Sequence, residues 1–467
     1  MATNAISVGR PRVSVTTAMP DLGGFSRFIL GLVLVIVVVF EASPIGSVPD
    51  IGTYLHRGLG SWTGLPIILS PLELLLIFGL IGSAIAEAIR PPSDRVAPSD
   101  LALRLRGGWP IVLFTSAVVL GFARGVFGGG DAYVGLWELR YLLYIPACYL
   151  IARSALRRPE HVAGLLRVGL VAAVIFAAEG AYRRIALIDT GQLVVIPEFA
   201  FEHEDVLFLA AFTLLLLASF VFGALKHARL LGLLVTPLLL YTLLATERRA
   251  GIIVLLVGLL VIALTTLFVR RRAFFLAAVP VLTIAVLYLG LFWNASGVLG
   301  QPARAIKSLY EPDPRDAQSN LYRLLENFDI DQTIHSDPIL GVGFGRPFLM
   351  VASLPDISWW PFWHFETHNN VLWVWMKTGV VGYVLFWAMM GGAMSRAAFA
   401  AKRLNDPTLR CAALFSLCAI VGTLVFAYVD LGLVSGRVTV LLGTSLGILA
   451  VVERIDANSA HPELVAA

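Results

Sequence analysis

The sequence has few charged residues, few histidines and few cysteines for its length. Of its 467 residues, 14% are charged and 58% are hydrophobic, and the mean hydropathy is +0.82. Soluble chains are about 45–50% apolar and roughly 25% charged. The composition therefore excludes a soluble enzyme, a disordered chain and a fibrous protein. The length corresponds to about three soluble domains, but the composition favours one polytopic membrane domain.

The cysteine count and the charge balance exclude two further classes. Cys148, Cys411 and Cys418 all lie in apolar runs and cannot build a disulfide framework or a zinc site. The 35 basic and 31 acidic residues give a net charge of only +4, so no nucleic-acid partner is expected.

Long apolar runs are what the sequence has instead. A bilayer core of about 30 Å needs about 20 apolar residues of helix. The runs predict an all-α polytopic membrane protein with about twelve transmembrane helices, at residues 26–43, 66–89, 109–124, 138–152, 163–182, 205–224, 229–246, 250–269, 273–293, 368–395, 411–429 and 434–452.

Lysine and arginine accumulate in alternate loops, which predicts the orientation because such loops stay cytoplasmic. The rich set contains Arg10, Arg12, Arg27, Arg90, Arg95, Arg104, Arg106, Arg153, Arg157, Arg158, Lys226, Arg229, Arg270, Arg271, Arg272, Arg396, Lys402, Arg403, Arg410 and Arg454. The other short loops carry little more than Arg57, Arg124 and Arg437. We expect both termini in the cytoplasm.

The predicted organisation has five parts. A cytoplasmic tail (1–25) precedes nine helices (26–293), a large outer loop (294–367), three helices (368–452) and a second cytoplasmic tail (453–467). Loops this long are usually functional or disordered. The aromatic residues near its end favour an ordered loop that rests on the membrane interface, namely Trp359, Trp360, Phe362, Trp363 and Phe365. Short helices are expected at 303–310 and 319–328.

His368 is the strongest candidate for a catalytic group. It lies between Thr367 and Asn369 at the predicted start of a helix, and a neutral imidazole can accept a proton from a hydroxyl near neutral pH. The alternative interpretation is an interfacial residue that caps the helix, with Thr367 or Asn369 doing the same.

A metal site at the same place is not expected. His364 and His368 could share one face of a helix, but Pro361 and the neighbouring aromatic residues favour a loop. The segment also lacks the H-E-x-x-H order of metalloproteases, because Glu366 stands in a different position.

Arginines at the outer ends of predicted spans are unusual, because the positive-inside rule disfavours them there. Guanidinium groups bind phosphate oxygens in a bidentate manner, so a converging group would make a diphosphate site. The alternative is pairing with Glu138, Glu179 and Glu247. The arginines are Arg140, Arg183, Arg184, Arg248 and Arg249.

Two charged residues lie inside predicted spans, Lys377 and Glu73, the latter near the middle of its span. Charges at that depth usually face a cavity or a partner, and a structural Glu–Lys pair and a catalytic role both stay open. The glycine cluster at 341–345 lacks the strand and helix of a dinucleotide-binding motif. We interpret it as a tight turn that packs on the membrane face.

Several of these features resemble the O-antigen ligase and polymerase family of bacterial membranes. The topology, with one large outer loop before the last three helices, covers nearly the whole chain. The local patterns are His368-Asn369-Asn370-Val371-Leu372, Lys377-Thr378-Gly379-Val380-Val381-Gly382, the segment 335–343 with His335, Pro338 and Gly341-Val342-Gly343, Glu247-Arg248-Arg249-Ala250-Gly251, and Arg140-Tyr141.

The resemblance implies metal-independent glycosyl transfer, without a cofactor, at the outer face of the bacterial cytoplasmic membrane. The donor would be a glycan on undecaprenyl diphosphate, and the acceptor a hydroxyl of a glycan, of lipid A core or of a protein. His368 would be the base, while Arg140 and either Arg248 or Arg249 would bind the diphosphate. The residues that could support them are His335, Asn369, Lys377, Arg183 and Arg184.

The chain departs from the family pattern where Glu247 replaces a small residue, where Arg249 and Ala250 replace a glycine pair, and where Asp337 precedes the proline. These departures leave open which arginine binds the donor. Polysaccharide polymerisation is the favoured function, and ligation is the alternative within the family. Outside it, a secondary transporter, a lipid-linked glycan flippase and a structural scaffold are the other interpretations.

Overall fold

The computed structural model describes residues 22–40, 51–63, 69–89, 101–191, 201, 203–224, 228–295, 297–358 and 360–460. Every regular element in these ranges is helical. Some residues used above therefore lie outside the described part of the chain, namely Arg10, Arg12, Arg90, Arg95, Lys226 and Trp359.

Sixteen α-helices are present in the described ranges. They are α1 (Leu22–Val39), α2 (Ile51–His56), α3 (Gly60–Thr63), α4 (Pro71–Ala88), α5 (Leu101–Phe127), α6 (Ala132–Ala155), α7 (Pro159–Tyr182), α8 (Asp205–Phe222), α9 (Ala228–Ala245), α10 (Arg249–Val269), α11 (Arg271–Phe292), α12 (Gln301–Lys307), α13 (Pro314–Ser336), α14 (Asn370–Arg403), α15 (Pro407–Val429) and α16 (Gly436–Ala460).

The chain is an all-α polytopic membrane protein. Ten of the helices in the described ranges are long and apolar enough to cross a membrane, and two shorter apolar helices accompany them at Gly23–Val39 and Leu234–Ala245. Each of these twelve segments coincides in position with one of the spans that hydropathy predicts. How many of them cross the bilayer, and in which direction, remain predictions.

The position of Glu73 differs from the prediction. Helix α4 begins at Pro71, so Glu73 lies in its first turn and not in the middle of a span. The reason is a capping box: the N–H of Glu73 donates to the hydroxyl of Ser70 (3.2 Å), and the N–H of Ser70 donates to the Glu73 carboxylate (2.7 Å). This local signal starts the helix later than the apolar run does.

The long loop contains more helix than expected. Helix α13 extends beyond the predicted segment 319–328 at both ends. Asp313 caps it by accepting from the N–H of Asp316 (2.8 Å), and Pro314 occupies its first turn. At the other end of the chain, α16 continues to Ala460, past the predicted end at 452.

Helix α15 lies at the centre of the bundle, where it packs against α7, α8, α10, α14 and α16. Helix α6 packs along α16, and α1 packs on α4 and α7. Helix α11 has no buried residue and packs mainly on α10 and α12. The end of the bundle that carries α12, α13 and residues 337–369 is called the loop end below.

Helix α14 is interrupted at Gly379, which has φ 68° and ψ −176°. The segment before α14 fills the gap: the N–H of Val380 donates to the carbonyl of Pro338 (2.9 Å), and the N–H of Val342 donates to the carbonyl of Met376 (2.8 Å). A break in a membrane helix is tolerated when other protein groups satisfy the freed backbone. The carbonyl of Pro338 and the N–H of Val342 are those groups here.

The glycine cluster packs against α5. Phe344 is completely buried, and its N–H donates to the carbonyl of Gly121 (3.2 Å). A Cβ at Gly125 would overlap the carbonyl oxygen of Phe344, so this contact requires glycine. Gly343 and Gly345 adopt positive φ angles of 86° and 79°. The cluster forms the predicted tight turn, and the surface on which it packs is α5.

Candidate active site

His368 stands immediately before α14 at the loop end. The helix is capped by its neighbour Asn369, whose side-chain oxygen accepts from the N–H of Leu372 (3.2 Å). The capping alternative is thus correct for Asn369. His368 itself is left free of the cap, and its side chain contacts a different helix.

That contact is with Glu326 on α13. The Nδ1 atom of His368 lies 3.1 Å from Oε1 of Glu326, and the backbone N–H of His368 donates to Oε2 (2.9 Å). The Glu326 side chain is 1% exposed and that of His368 is 24% exposed. Tyr322 packs edge-on against the imidazole with ring centroids 5.4 Å apart. The carboxylate fixes the ring by Nδ1, which leaves Nε2 as the nitrogen that can meet a substrate.

The protonation of His368 follows from these contacts. Burial would lower its pKa, but the hydrogen bond and the charge of Glu326, with a smaller contribution from Asp430, outweigh burial. Arg323 opposes them weakly, and the net result is a raised pKa. A histidine with a raised pKa is a stronger base when it is neutral.

Two further charges act on His368, those of Asp430 and Arg323. Asp430, at the end of α15, lies 2.8 Å from Nδ1 of His203, and the charge of Arg323 on α13 acts on Asp430 as well. Burial would raise the pKa of Asp430, but His203, His368 and Arg323 hold it well below its usual value. Asp430 is therefore a buried carboxylate that stays ionised at neutral pH.

These residues could not be predicted as a group, because their partners are distant in sequence. His203, Arg323, Glu326 and Asp430 meet His368 only through packing. One signal could have indicated the α13 group. Tyr322 and Glu326 are four residues apart, a spacing that places two side chains on one face of a helix.

Arg140 lies on α6, and its Nε lies 3.0 Å from Oε1 of Glu73. Its partner is therefore Glu73 and not Glu138. Its guanidinium also lies 4.4 Å from the ring centroid of Trp137, which stacks on Phe362 of the long loop (5.5 Å between centroids). The side chain is 11% exposed. Glu73 lies in the first turn of α4, so the start of α4 supplies the carboxylate that pairs with Arg140.

The arginines of the loop end have separate partners. Arg183 pairs with Glu179 (2.6 Å), and Arg184 pairs with Glu247 (3.2 Å) and Asp189 (2.9 Å). This is the pairing that the alternative interpretation expects. These arginines are therefore engaged in the bundle itself.

Arg248 is the residue before α10, and Arg249 is the first residue of that helix. The guanidinium of Arg249 donates to the side chain of Asn320 (3.1 Å) and lies 3.3 Å from the Asp316 carboxylate. Helix α13 thus contacts Arg249 near the start of α13. Farther along the same helix, Glu326 contacts His368. Arg140, Arg249 and His368 have different immediate partners, and α13 connects two of the three.

Lys377 and Glu138 form a fully buried ion pair (2.7 Å). The Lys377 ammonium also donates to the carbonyl of Arg346 (2.7 Å), and Glu138 accepts from the N–H of Gly345 (2.5 Å). The pair therefore joins α14, α6 and the glycine cluster. Its partners indicate a structural role in holding that cluster.

The remaining histidines of the loop do not contact His368. His335 is 72% exposed and bonds to Asp331, one turn earlier on α13. His364 packs on Trp363 with ring centroids 3.5 Å apart. In the described ranges, no three histidine, cysteine, aspartate or glutamate side chains form a group that could hold a metal ion.

A comparison with protein families gives a match in the second half of the chain. Residues 232–387 match the family model described as O-Antigen ligase. The matched segment includes α10, the helices of the long loop, His368 and the first part of α14. No curated protein matches the chain.

Proposed function

We propose that the chain, whose residues 232–387 match the O-Antigen ligase family model, transfers a glycan from undecaprenyl diphosphate to an acceptor hydroxyl. The reaction takes place at the extracytoplasmic face of the bacterial cytoplasmic membrane, which is the side of the loop end. The product is a longer polysaccharide, made without metal, nucleotide or cofactor.

The observation that carries this proposal is the His368–Glu326 pair. A partly exposed imidazole whose Nδ1 faces a buried carboxylate is suited to accept a proton at Nε2. It lies at the start of α14, where a lipid-linked substrate that is anchored in the bilayer can arrive.

In the proposed step, the acceptor oxygen attacks the anomeric carbon of the donor glycan. The new C–O bond forms as the bond from that carbon to the diphosphate oxygen breaks, and the acceptor proton passes to Nε2 of His368. Glu326 stabilises the imidazolium that results. The diphosphate leaves as an anion and needs no general acid, because its own charge is stabilised by fixed cations.

The arginines of the loop end supply those cations. Arg249 and Arg140 keep the roles that the family resemblance implies, and Arg323 is the guanidinium whose charge acts on His368. The guanidinium of Arg249 lies 3.1–3.4 Å from polar groups of Ser308, which follows α12, and of Asn320 and Asp316 on α13. A diphosphate, with its two negative charges or more, can compete for such a guanidinium. Arg248 lies directly before Arg249 and belongs to the same proposed donor site.

The acceptor is the part of the proposal that a reconstitution experiment decides. Purified protein in nanodiscs would receive the lipid-linked glycan of its own organism, together with one of three acceptors: a second lipid-linked glycan, lipid A core or a protein. Polymerisation predicts glycans of increasing length without added metal or nucleotide, and ligation to lipid A core or to a protein predicts a single transfer.

Transport is the competing function outside the enzymes. Proteoliposomes that move the lipid-linked glycan between leaflets, without forming product with any of the three acceptor types, would contradict glycosyl transfer and support a flippase or a secondary transporter. Product formation at a rate that depends on His368 would support the proposed enzyme.

A further inference from the structure

The loop end contains a second imidazole–carboxylate pair beside the first. Nδ1 of His203 lies 2.8 Å from Oδ2 of Asp430. The His203 side chain is 40% exposed and that of Asp430 is 5% exposed. This is the arrangement found at His368 and Glu326, where an accessible imidazole also turns Nδ1 toward a buried carboxylate.

A hydrogen-bonded contact joins the segment that carries Asp430 to the segment that carries His368. Asn370, two residues after His368, accepts with its side-chain oxygen from the N–H of Leu433 (2.6 Å) and of Val434 (3.3 Å). This ties the segment after Asp430 to the start of α14. The charge of Asp430 accordingly acts on His368 as well as on its own partner, His203.

The chemistry of the second pair favours a neutral, hydroxyl-rich ligand. Asp430 is an ionised carboxylate, so it repels a diphosphate. An imidazole whose Nδ1 is engaged by a carboxylate presents Nε2 as a single hydrogen-bonding nitrogen, which suits a sugar hydroxyl.

We infer that His203 binds the acceptor glycan, through a hydroxyl close to the one that His368 deprotonates, and that Asp430 is the positioning residue that orients the His203 ring. The inference rests on the proposed glycosyl transfer. It divides the site into a donor side, formed by guanidinium groups, and an acceptor side, formed by His203 and His368.

The test is a steady-state experiment in which donor and acceptor vary independently. The full chain in nanodiscs receives the lipid-linked glycan as donor and, as acceptor, the same glycan with a soluble tag in place of the lipid diphosphate. His203→Ala should raise the KM for the acceptor about tenfold or more and leave the KM for the donor unchanged. His203→Gln, which keeps a hydrogen-bonding group near the position of Nε2, should recover part of the loss.

Two further variants separate binding from folding. The control is His161→Ala, in the first turn of α7. This variant should leave both KM values unchanged. If His203→Ala unfolds because Asp430 loses its partner, the double variant with Asp430→Asn removes the unpaired charge and should show the same selective increase in acceptor KM.

The outcomes are distinguishable. A rise in donor KM, equal changes in both KM values, or no change in either would overturn the role of His203, while His368-dependent transfer would still stand. Absence of transfer by the wild-type protein with every acceptor would instead overturn the proposed function.

Discussion

The Nδ1 atom of His368 lies 3.1 Å from Oε1 of Glu326, although 42 residues separate the two in sequence. The same carboxylate accepts the backbone N–H of His368 at 2.9 Å. Glu326 therefore fixes both the ring and the chain at the start of α14. The pair gives the candidate site a proposed base whose pKa is raised chiefly by Glu326.

Substitution of Glu326 should change the pH dependence of transfer. Transfer requires neutral His368, so its rate should rise as the pH increases through the raised pKa of His368. Glu326→Gln removes the charge that raises this pKa, so the acidic limb of the pH–rate profile should move to lower pH. The maximal rate should fall about tenfold or more, because the imidazolium loses its counter-charge.

A matched measurement distinguishes this effect from misfolding. The raised pKa stabilises the folded protein below the ordinary histidine pKa, and this contribution disappears as the pH rises through the folded-state value. Glu326→Gln should therefore lose thermal stability mainly at acidic pH. An unchanged acidic limb would contradict the assignment of Glu326.

Arg249 should contribute to donor binding. Hydrogen bonds to charged groups contribute about 1.5–3 kcal/mol, so Arg249→Ala should lower kcat/KM for the donor by about 10- to 100-fold. Asp316→Asn removes a carboxylate that lies 3.3 Å from the guanidinium and leaves the guanidinium in place. It should preserve donor binding. Equal losses in both variants would indicate that Arg249 serves only to hold α13.

The buried pair of Lys377 and Glu138 should matter for stability. Lys377→Met leaves Glu138 unpaired in the interior, which costs about 3–5 kcal/mol. The variant should unfold at a clearly lower temperature in detergent. The double variant with Glu138→Gln removes the charge and keeps an acceptor for the N–H of Gly345, so most of the stability should return. If it does not, the pair has a role beyond charge compensation.

The contact between the glycine cluster and α5 gives a steric prediction. Gly125→Ala places a methyl group on the carbonyl of Phe344, so the cluster must move and transfer should be lost. Gly164→Ala is the control, because a Cβ there has no neighbour within 4 Å. Alanine is favoured over glycine inside a helix by about 1 kcal/mol, so the control should be as stable as the wild type or slightly more stable. Thermal unfolding and transfer activity should be measured for both variants.

Sequence alone predicts the parts of this molecule that depend on local pattern. The twelve apolar segments follow from hydropathy, and Asn369 follows from capping chemistry. The partner of Arg140 could not be predicted, because it depends on which helix packs beside α6. A cap at Ser70 brings Glu73 to that position, whereas the nearer Glu138 turns toward Lys377.

The partners of His368 were missed for a related reason. Glu326 lies in a segment where the sequence predicts only a short helix, and its four-residue spacing from Tyr322 is the one local signal that marks it. Its role follows from α13 lying across the start of α14. Asp430 and His203 come from two other parts of the chain and meet the site only in the folded bundle.

The central claim is tested most directly by one measurement on His368→Ala. The experiment follows the release of undecaprenyl diphosphate and the lengthening of the acceptor glycan, with wild-type and variant protein at equal amounts in nanodiscs. The wild type should give both products in equal numbers, and His368→Ala should be slower by about 10²- to 10⁴-fold while inserting and unfolding as the wild type does. A variant that transfers glycan at the wild-type rate would contradict the assignment of His368 as the base.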